Sequence, residues 1–310
     1  MQNKTISIGH KNPDTDSALA AILVSRFSSK IFGVEAEAVA AGNINNETKY
    51  ILEKLKVKKP RILKEIKNEK VILVDTTEPK QIIGGLTEDN LLAIIDHHNL
   101  GGLKSSKPIY SRVEPVGCAA TIIYKILREK NIKIDKASAI LIITCILSDT
   151  LNFNSPTATT DDKKILSELN KIAKLDIKKF VSELFSAKSS LKGISVDDII
   201  SKDYKQFDMG KFKVGIGVWE TINPETVNEQ KNKIMPALIE KKNLEKMDYM
   251  FFAVVDIVKN NSYLYIIGDE ENVLAEKAFD NSAKNNLMFL KGVVSRKKQI
   301  APVLMNELGK

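Results

Sequence analysis

The chain has three histidines, His10, His97 and His98, and each stands in a short stretch crowded with carboxylates. "GHKNPDTD" sets His10 beside Asp14 and Asp16, and "IIDHH" sets Asp96 before His97 and His98. Asp75, at the end of the apolar run "VILVD", and Asp149, at the end of "ASAILIITCILSDT", complete the pattern. Unpaired carboxylates at such density raise one another's pKa, so positive charge is expected among them. Carboxylates mixed with imidazoles, without cysteine, suit a hard or borderline divalent ion: Mn²⁺ first, with Co²⁺, Fe²⁺, Zn²⁺ or Mg²⁺ as competitors. Donors from four chain segments exceed what one ion needs while keeping an open position. Two ions about 3.5–4 Å apart, bridged by a carboxylate and a water, fit better, and such a pair supplies hydroxide near neutral pH and neutralises phosphoryl charge.

Each piece also has a plainer explanation. "NPD" suits a turn followed by a helix cap, Asp75 before "TTEP" could end a strand in a turn, and Asp149-Thr150 could begin a loop. A lone histidine is more often a satisfied polar residue than a ligand. Taken jointly, the plain explanations require five carboxylates and all three histidines to gather for unrelated reasons.

The elements that must position these residues alternate between strand and helix. "TISIG" reads as a strand, "DSALAAILVSRF" as an amphipathic helix with Asp16 or Ser17 available to cap it, and "EAEAVAA" as a second strand. "NETKYILEKLKV" is a helix, and "VILVD" and "LLAIIDHH" are strands. The alternation predicts a mainly parallel sheet with helices on both faces, and in such sheets ligands bind at the carboxyl ends of the strands. Helices follow in "GCAATIIYKILREK", "KASAILIITCILSDT", "TTDDKKILSELNKIA" and "DIKKFVSELFSAK". Asp149 at a helix C-terminus opposes the helix dipole and needs compensation from elsewhere.

"SAKSSLKGIS", residues 186–195, is the candidate linker, so the expected division is 1–188, a linker 189–195, and 196–310. Beyond it, strands are expected in "KDYKQFD", "KFKVGIGVWE", "YMFFAVVDIV" and "SYLYIIG". A long helix "PETVNEQKNKIMPALIEKKN" should separate the second from the third, and a final helix should begin near "SRKKQIAPVLMNEL". This is a smaller mixed α/β domain.

Composition sets outer bounds. The 310 residues are 43% hydrophobic and 28% charged, the balance of a packed protein. The first ten residues lack a signal-peptide apolar run, and Ala137 to Leu147 is too short to span a membrane, so a cytoplasmic protein with no membrane partner is expected. Cys118 and Cys145 lie in apolar helical patterns and read as buried thiols. The formal charge of +8 favours an anionic partner, but only five of the 47 basic residues are arginines, and the lysines are spread along the chain beside glutamates.

Together, "GHKNPDTD", "VDTTEP", "DHH", "SDT" and the late "SRKKQ" resemble the family II inorganic pyrophosphatases, the manganese-preferring branch of the DHH phosphoesterase superfamily. The resemblance implies a DHH-type catalytic domain, a smaller substrate-binding domain and an active site in the cleft between them. It implies metal ligands His10, Asp14, Asp16, Asp75, His97 and Asp149, with Asp75 bridging two Mn²⁺ ions, and Asp96 orienting its neighbours. His98 would stand beside the substrate, making His98, Asp14 and Asp149 the expected catalytic residues. Arg296, Lys297 and Lys205 would bind the phosphates. The expected reaction is hydrolysis of pyrophosphate to two phosphates by a hydroxide bridging the ions, with additional Mg²⁺ entering on the substrate. A homodimer through the N-terminal domain is also implied.

Two rivals share parts of this pattern. Related phosphodiesterases acting on oligonucleotides or cyclic dinucleotides typically carry a glycine-rich, histidine-containing motif in the second domain, whereas residues 189 to 310 contain no histidine. That argues against a nucleic-acid partner; exopolyphosphatases, which cleave the same anhydride in a longer polymer, stay open. A non-catalytic phosphate- or nucleotide-binding module would be expected to lack metal ligands, yet every position of the constellation is filled. No long insertion separates Asp75 from Asp149, so a regulatory adenine-nucleotide domain is not expected there.

Overall fold

Continuous apolar runs mark strands covered on both faces, and the first of the two units into which the chain divides, Met1–Lys188, is built on them. The computed structural model describes residues 4–201 and 203–309. In the first unit, β1 (Thr5–Ile8), β2 (Ala36–Ala40), β3 (Arg61–Ile62), β4 (Lys70–Val74), β5 (Leu91–Asp96) and β6 (Tyr110–Val113) form an all-parallel sheet in the order β3-β2-β1-β4-β5-β6. The order reverses between β1 and β4, so the loops after those strands part to opposite sides and leave a crevice at their carboxyl ends. His10 follows β1 and Asp75 follows β4.

Among the described residues, six α-helices belong to this unit: α1 (Thr15–Phe32), α2 (Asn46–Lys54), α3 (Ala119–Glu129), α4 (Lys136–Asp149), α5 (Thr160–Ala173) and α6 (Ile177–Lys188). Ile72, Val74, Ala93 and Ile95 of the sheet pack with α1 and α3–α6 in one core, while Ile6, Ile8, Val71, Leu73 and Ile94 face a second, smaller one. α1 is capped by Asp14, which accepts from Ser17 N, rather than by Asp16 or Ser17 as its sequence suggested. An acid two positions earlier satisfies the first-turn amide of Ser17 and leaves Asp16 free to turn inward. β3 and β6 had no sequence signal; one has two residues and the other, "YSRV", is a half-exposed edge strand. α6 runs through Lys188, so the first three residues of "SAKSSLKGIS" are helical.

The second unit, Ser189–Lys310, opens with α7 (Val196–Ser201). It then carries β7 (Asp203–Met209), β8 (Phe212–Thr221), α8 (Glu225–Asn228), α9 (Lys231–Leu244), β9 (Tyr249–Asp256), β10 (Asn261–Ile266), α10 (Asp269–Phe279) and β11 (Leu287–Lys291). The sheet order is β11-β10-β9-β8-β7, with β8 and β9 parallel and the other pairs antiparallel. Alternation in β9 divides the core in two: Phe251, Ala253 and Val255 face one cluster, Met250, Phe252 and Val254 the other.

One expectation is corrected here and one refined. The single helix over "PETVNEQKNKIMPALIEKKN" is two, α8 and α9, broken at Glu229 and Gln230, with Asn228 held at the end of α8 by Tyr265 Oη. The final helix opens near "SRKKQ" but as a π-helical turn, Arg296–Ile300 capped by Ser295, and becomes α-helical only in α11 (Ala301–Leu308). α7, α10 and β11 were not anticipated, the charged face of "DEENVLAEKAF" in α10 diluting its apolar period.

Candidate metal centre

The loop after β1 is shaped by close approach. A Cβ at Gly9 would lie 2.0 Å from Ser17 Oγ, and that hydroxyl accepts from His10 N at 3.0 Å, pinning the loop to α1. His10 Nδ1 lies 2.7 Å from the Lys11 carbonyl. A carbonyl only accepts, so Nδ1 carries the proton, and Nε2 faces Asp14 at 3.5 Å and Asp75 at 3.4 Å. His97 repeats the device after β5. Its Nδ1 donates to the Val116 carbonyl at 3.0 Å, and Nε2 points to Asp75 at 3.2 Å and Asp149 at 3.9 Å. Metal-binding histidines are oriented in this way, by a backbone acceptor on the far ring nitrogen.

Asp75 sits between them. Its amide donates to the Ile95 carbonyl at 2.9 Å, and its φ of 59° is left-handed, a costly conformation for a non-glycine residue that positions the carboxylate just past the strand. Asp16 is fully buried and receives amides from the first turn of α3, Ala119 N at 2.6 Å and Ala120 N at 3.2 Å, where the helix dipole favours an anion. Asp96 is also buried, and its Oδ1 accepts from His97 N at 2.8 Å, His98 N at 3.2 Å and His98 Nδ1 at 2.8 Å. That leaves His98 Nε2 outward on a side chain 53% exposed.

The electrostatics are those of an anionic site with protons in it. Burial pushes Asp16 and Asp149 well above the usual carboxylate range, and neighbouring carboxylates add to the push. Burial works against a charged His10, but its contacts with Asp14 and Asp75 prevail and raise its pKa to about 11. The same contest, with Asp75 and Asp16 prevailing, raises His97 to about 9. Asp14 and Asp96 are held low by His10 and His98 respectively, against desolvation.

Both Asp75 oxygens and His97 Nε2 are buried without a hydrogen-bond partner, although Asp75 and His97 approach within 3.2 Å. Three overlapping groups bring ligand atoms within 4.8 Å of one another: His10, Asp14 and Asp75; Asp16, Asp75, His97 and Asp149; and Asp75, His97 and His98. Orphaned acceptors and an imidazole nitrogen converging in this way suit a divalent cation, and Asp75 belongs to every group.

The basic residues expected at the substrate lie in the second unit. Arg296 opens the π-helical turn, and its fork donates to the Asp203 carbonyl at 2.5 Å, the Asp203 carboxylate at 2.7 Å and the Ile216 carbonyl at 3.3 Å. Lys297 follows it in the turn, and Lys205 is an exposed residue of β7 opposite Ile216. Sequence reasoning passed over three residues that support the metal cluster: Glu47, Lys188 and Asp162. Asp162 receives Gly117 N, Thr121 Oγ1 and Thr159 N, fixing the entry to α3 that holds Asp16. Its only signal was the acidic start of "TTDDKKILSELNKIA", which reads as ordinary capping.

The DHH family, N-terminal domain, matches residues 4–146, and the DHHA2 domain matches residues 182–306, so the chain is a DHH–DHHA2 protein. The manganese-dependent inorganic pyrophosphatase of Bacillus subtilis is 39% identical over 308 residues, 98% of this chain and 99% of its own. The probable manganese-dependent inorganic pyrophosphatase of Clostridium acetobutylicum is 38% identical, over 97% of this chain and 96% of its own. The crystal structure of a candidate family II inorganic pyrophosphatase from Methanococcus jannaschii superposes with a TM-score of 0.64 at 35% identity, over 99% of this chain and all of that one. The chain belongs to the family II inorganic pyrophosphatases.

Proposed function

We propose that this chain hydrolyses inorganic pyrophosphate to two phosphates, using Mn²⁺ held by His10, Asp14, Asp16, Asp75, His97 and Asp149. The observation that carries this reading is Asp75: a buried carboxylate with both oxygens unpartnered, shared by all the donor groups. Two ions would suit that sharing: His10 and Asp14 would hold one, Asp16, His97 and Asp149 would hold the other, and Asp75 would serve both. A divalent ion bound there supplies positive charge for phosphoryl oxygens and acidifies water enough to make a nucleophile near neutral pH.

The chain's own residues do the rest. Asp96 accepts from His98 Nδ1 and so fixes the ring, leaving Nε2 to face the substrate, where it donates to a phosphate oxygen in the doubly protonated ring. Arg296, Lys297 and Lys205 bind the phosphates, with additional Mg²⁺ entering on pyrophosphate. Asp203 orients the Arg296 guanidinium, whose planar fork matches phosphate oxygens bidentately. The reading also takes the protein as a cytoplasmic homodimer joined through the first unit. Two buried free cysteines suit a reducing compartment, and β6 ends the parallel sheet with an edge that no described strand covers. No helix among the described residues is long and apolar enough to cross a membrane.

Phosphate release by the Mn²⁺-loaded protein from pyrophosphate, tripolyphosphate, a dinucleotide and single-stranded DNA, compared side by side, tests the reading. Pyrophosphate should be preferred. Preference for tripolyphosphate would make the chain an exopolyphosphatase, and preference for either nucleic-acid substrate would overturn the assignment.

A further inference from the structure

Glu47, in the first turn of α2, lies outside the ligand set yet has no exposed surface. Its Oε2 accepts from Thr15 Oγ1 at 2.5 Å and from Ser148 Oγ at 2.6 Å. Lys188, the last residue of α6, brings Nζ within 3.6 Å of the same oxygen and donates to Ser148 Oγ at 2.9 Å and the Ser148 carbonyl at 3.2 Å. Glu47 Oε1 is buried without a hydrogen-bond partner. Burying a carboxylate is costly unless a cation and hydrogen bonds answer it, and here one ammonium and two hydroxyls do so on one oxygen only.

The placement of the two hydroxyls gives the arrangement its meaning. Thr15 stands between Asp14 and Asp16, and Ser148 stands directly before Asp149. One buried carboxylate therefore holds the side-chain hydroxyls of the two residues that adjoin three of the six proposed ligands, at the start of α1 and the end of α4. Lys188 also meets the C-terminal end of α4 through the Ser148 carbonyl, which answers the unfavourable helix dipole at Asp149.

We propose that Glu47 and Lys188 are a positioning pair for the metal centre, acting through Thr15 and Ser148 to set where Asp14, Asp16 and Asp149 present their oxygens. The inference rests on the metal reading above. The pair touches neither substrate nor proposed ligand oxygens; it determines how much of the binding geometry exists before the metal arrives. Partners of this kind are worth about 10–100-fold in metal affinity.

The test is a calorimetric Mn²⁺ titration of the metal-stripped full chain, with a thermal melt of each metal-free variant beside it. Glu47→Gln should weaken Mn²⁺ binding by about 10–100-fold. Ser148→Ala, which removes no charge, should weaken it by ~5-fold or more, and Lys188→Arg should stay closer to the unaltered chain than Lys188→Met. Lys188→Met is the sharpest variant, because bare electrostatics and positioning predict opposite signs. Removing a nearby cation should tighten Mn²⁺, whereas loss of positioning should weaken it. Weaker binding by a variant still folded at the titration temperature supports the pair. Tighter binding by Lys188→Met, or affinities within about twofold for Ser148→Ala and Lys188→Met with only the melts lowered, overturns it in favour of a bare charge or plain helix packing. Should Glu47→Gln fail to fold, Ser148→Ala and Lys188→Met decide the matter. Failure of the unaltered chain to bind Mn²⁺ overturns the metal reading itself, and this inference with it.

Discussion

The two units hold their proposed working residues differently. In the first, Asp16, Asp75 and Asp96 are buried, and His10 and His97 are clamped by backbone carbonyls at strand ends. In the second, Lys205 is exposed on an outer strand, and Arg296 lies in a π-helical turn, its fork satisfied by Asp203. The difference follows from charge. Like-charged carboxylates gathered within a few ångströms repel one another and stay together only if many rigid contacts hold them. Lys205 needs no such cage, because an arriving anion supplies the opposite charge, whereas Arg296, its side chain only 10% exposed, is held by Asp203 and the Ile216 carbonyl.

The largest expected effect breaks the first unit. Asp75→Ala or His97→Ala should lower kcat/KM for pyrophosphate at saturating Mn²⁺ by ~10³-fold or more, about 4 kcal/mol, since each removes a ligand atom from the shared centre. Near-normal phosphate release by either metal-loaded variant would sink the assignment.

Removing metal should unmake the rigid region without touching the other. At free Mn²⁺ a hundredfold above Kd, the bound state is stabilised by about 2.7 kcal/mol. A chelator should therefore lower Tm and abolish turnover, and returning Mn²⁺ should restore both. A melt indifferent to Mn²⁺ would mean that no ion binds the folded chain preferentially.

Arg296→Ala addresses the second unit. It should lower kcat/KM by about 1.5–3 kcal/mol, the worth of a charged hydrogen bond, while leaving Mn²⁺ affinity unchanged. A negligible change in kcat/KM would remove Arg296 from substrate binding.

A smaller effect comes from protons in the metal-free cluster. His10 and His97 have pKa values raised to about 11 and about 9, and Asp16 and Asp149 are also raised. A group whose pKa is higher when folded binds more protons in the native state. The histidine contribution is therefore complete below their ordinary value of 6.5 and is lost as pH rises through the folded values. Metal-free protein should melt ~5 °C lower at pH 9 than at pH 7. Mn²⁺, which replaces those protons, should reverse the trend and stabilise more at pH 8 than at pH 6. A metal-free Tm that rises over this range would contradict the proton arrangement.

Much of the site was legible because its residues are rare types in compact motifs. All three histidines and the five acids named from sequence lie at strand or helix ends of one unit, and the parallel sheet follows from the alternation of apolar strand runs and helices. Edge strand β6 and short β3 escaped because half-exposed strands carry no continuous apolar run. Glu47 escaped for a different reason: in "NNETK" an acid in the first helical turn is what any helix start contains. Glu270, in the first turn of α10, has the same local setting and is exposed.

The sequence by itself determined which residues could hold a cation and that strands would end beside them, since residue chemistry and hydrophobic period are both local. Only the tertiary structure decided that Asp14 caps α1 while Asp16 turns inward, that Asp75 is the carboxylate common to every donor group, and that Glu47 meets Lys188 across more than a hundred residues of chain. Those facts depend on where α2, α4 and α6 pack, which is set by the whole core at once rather than by any stretch read alone.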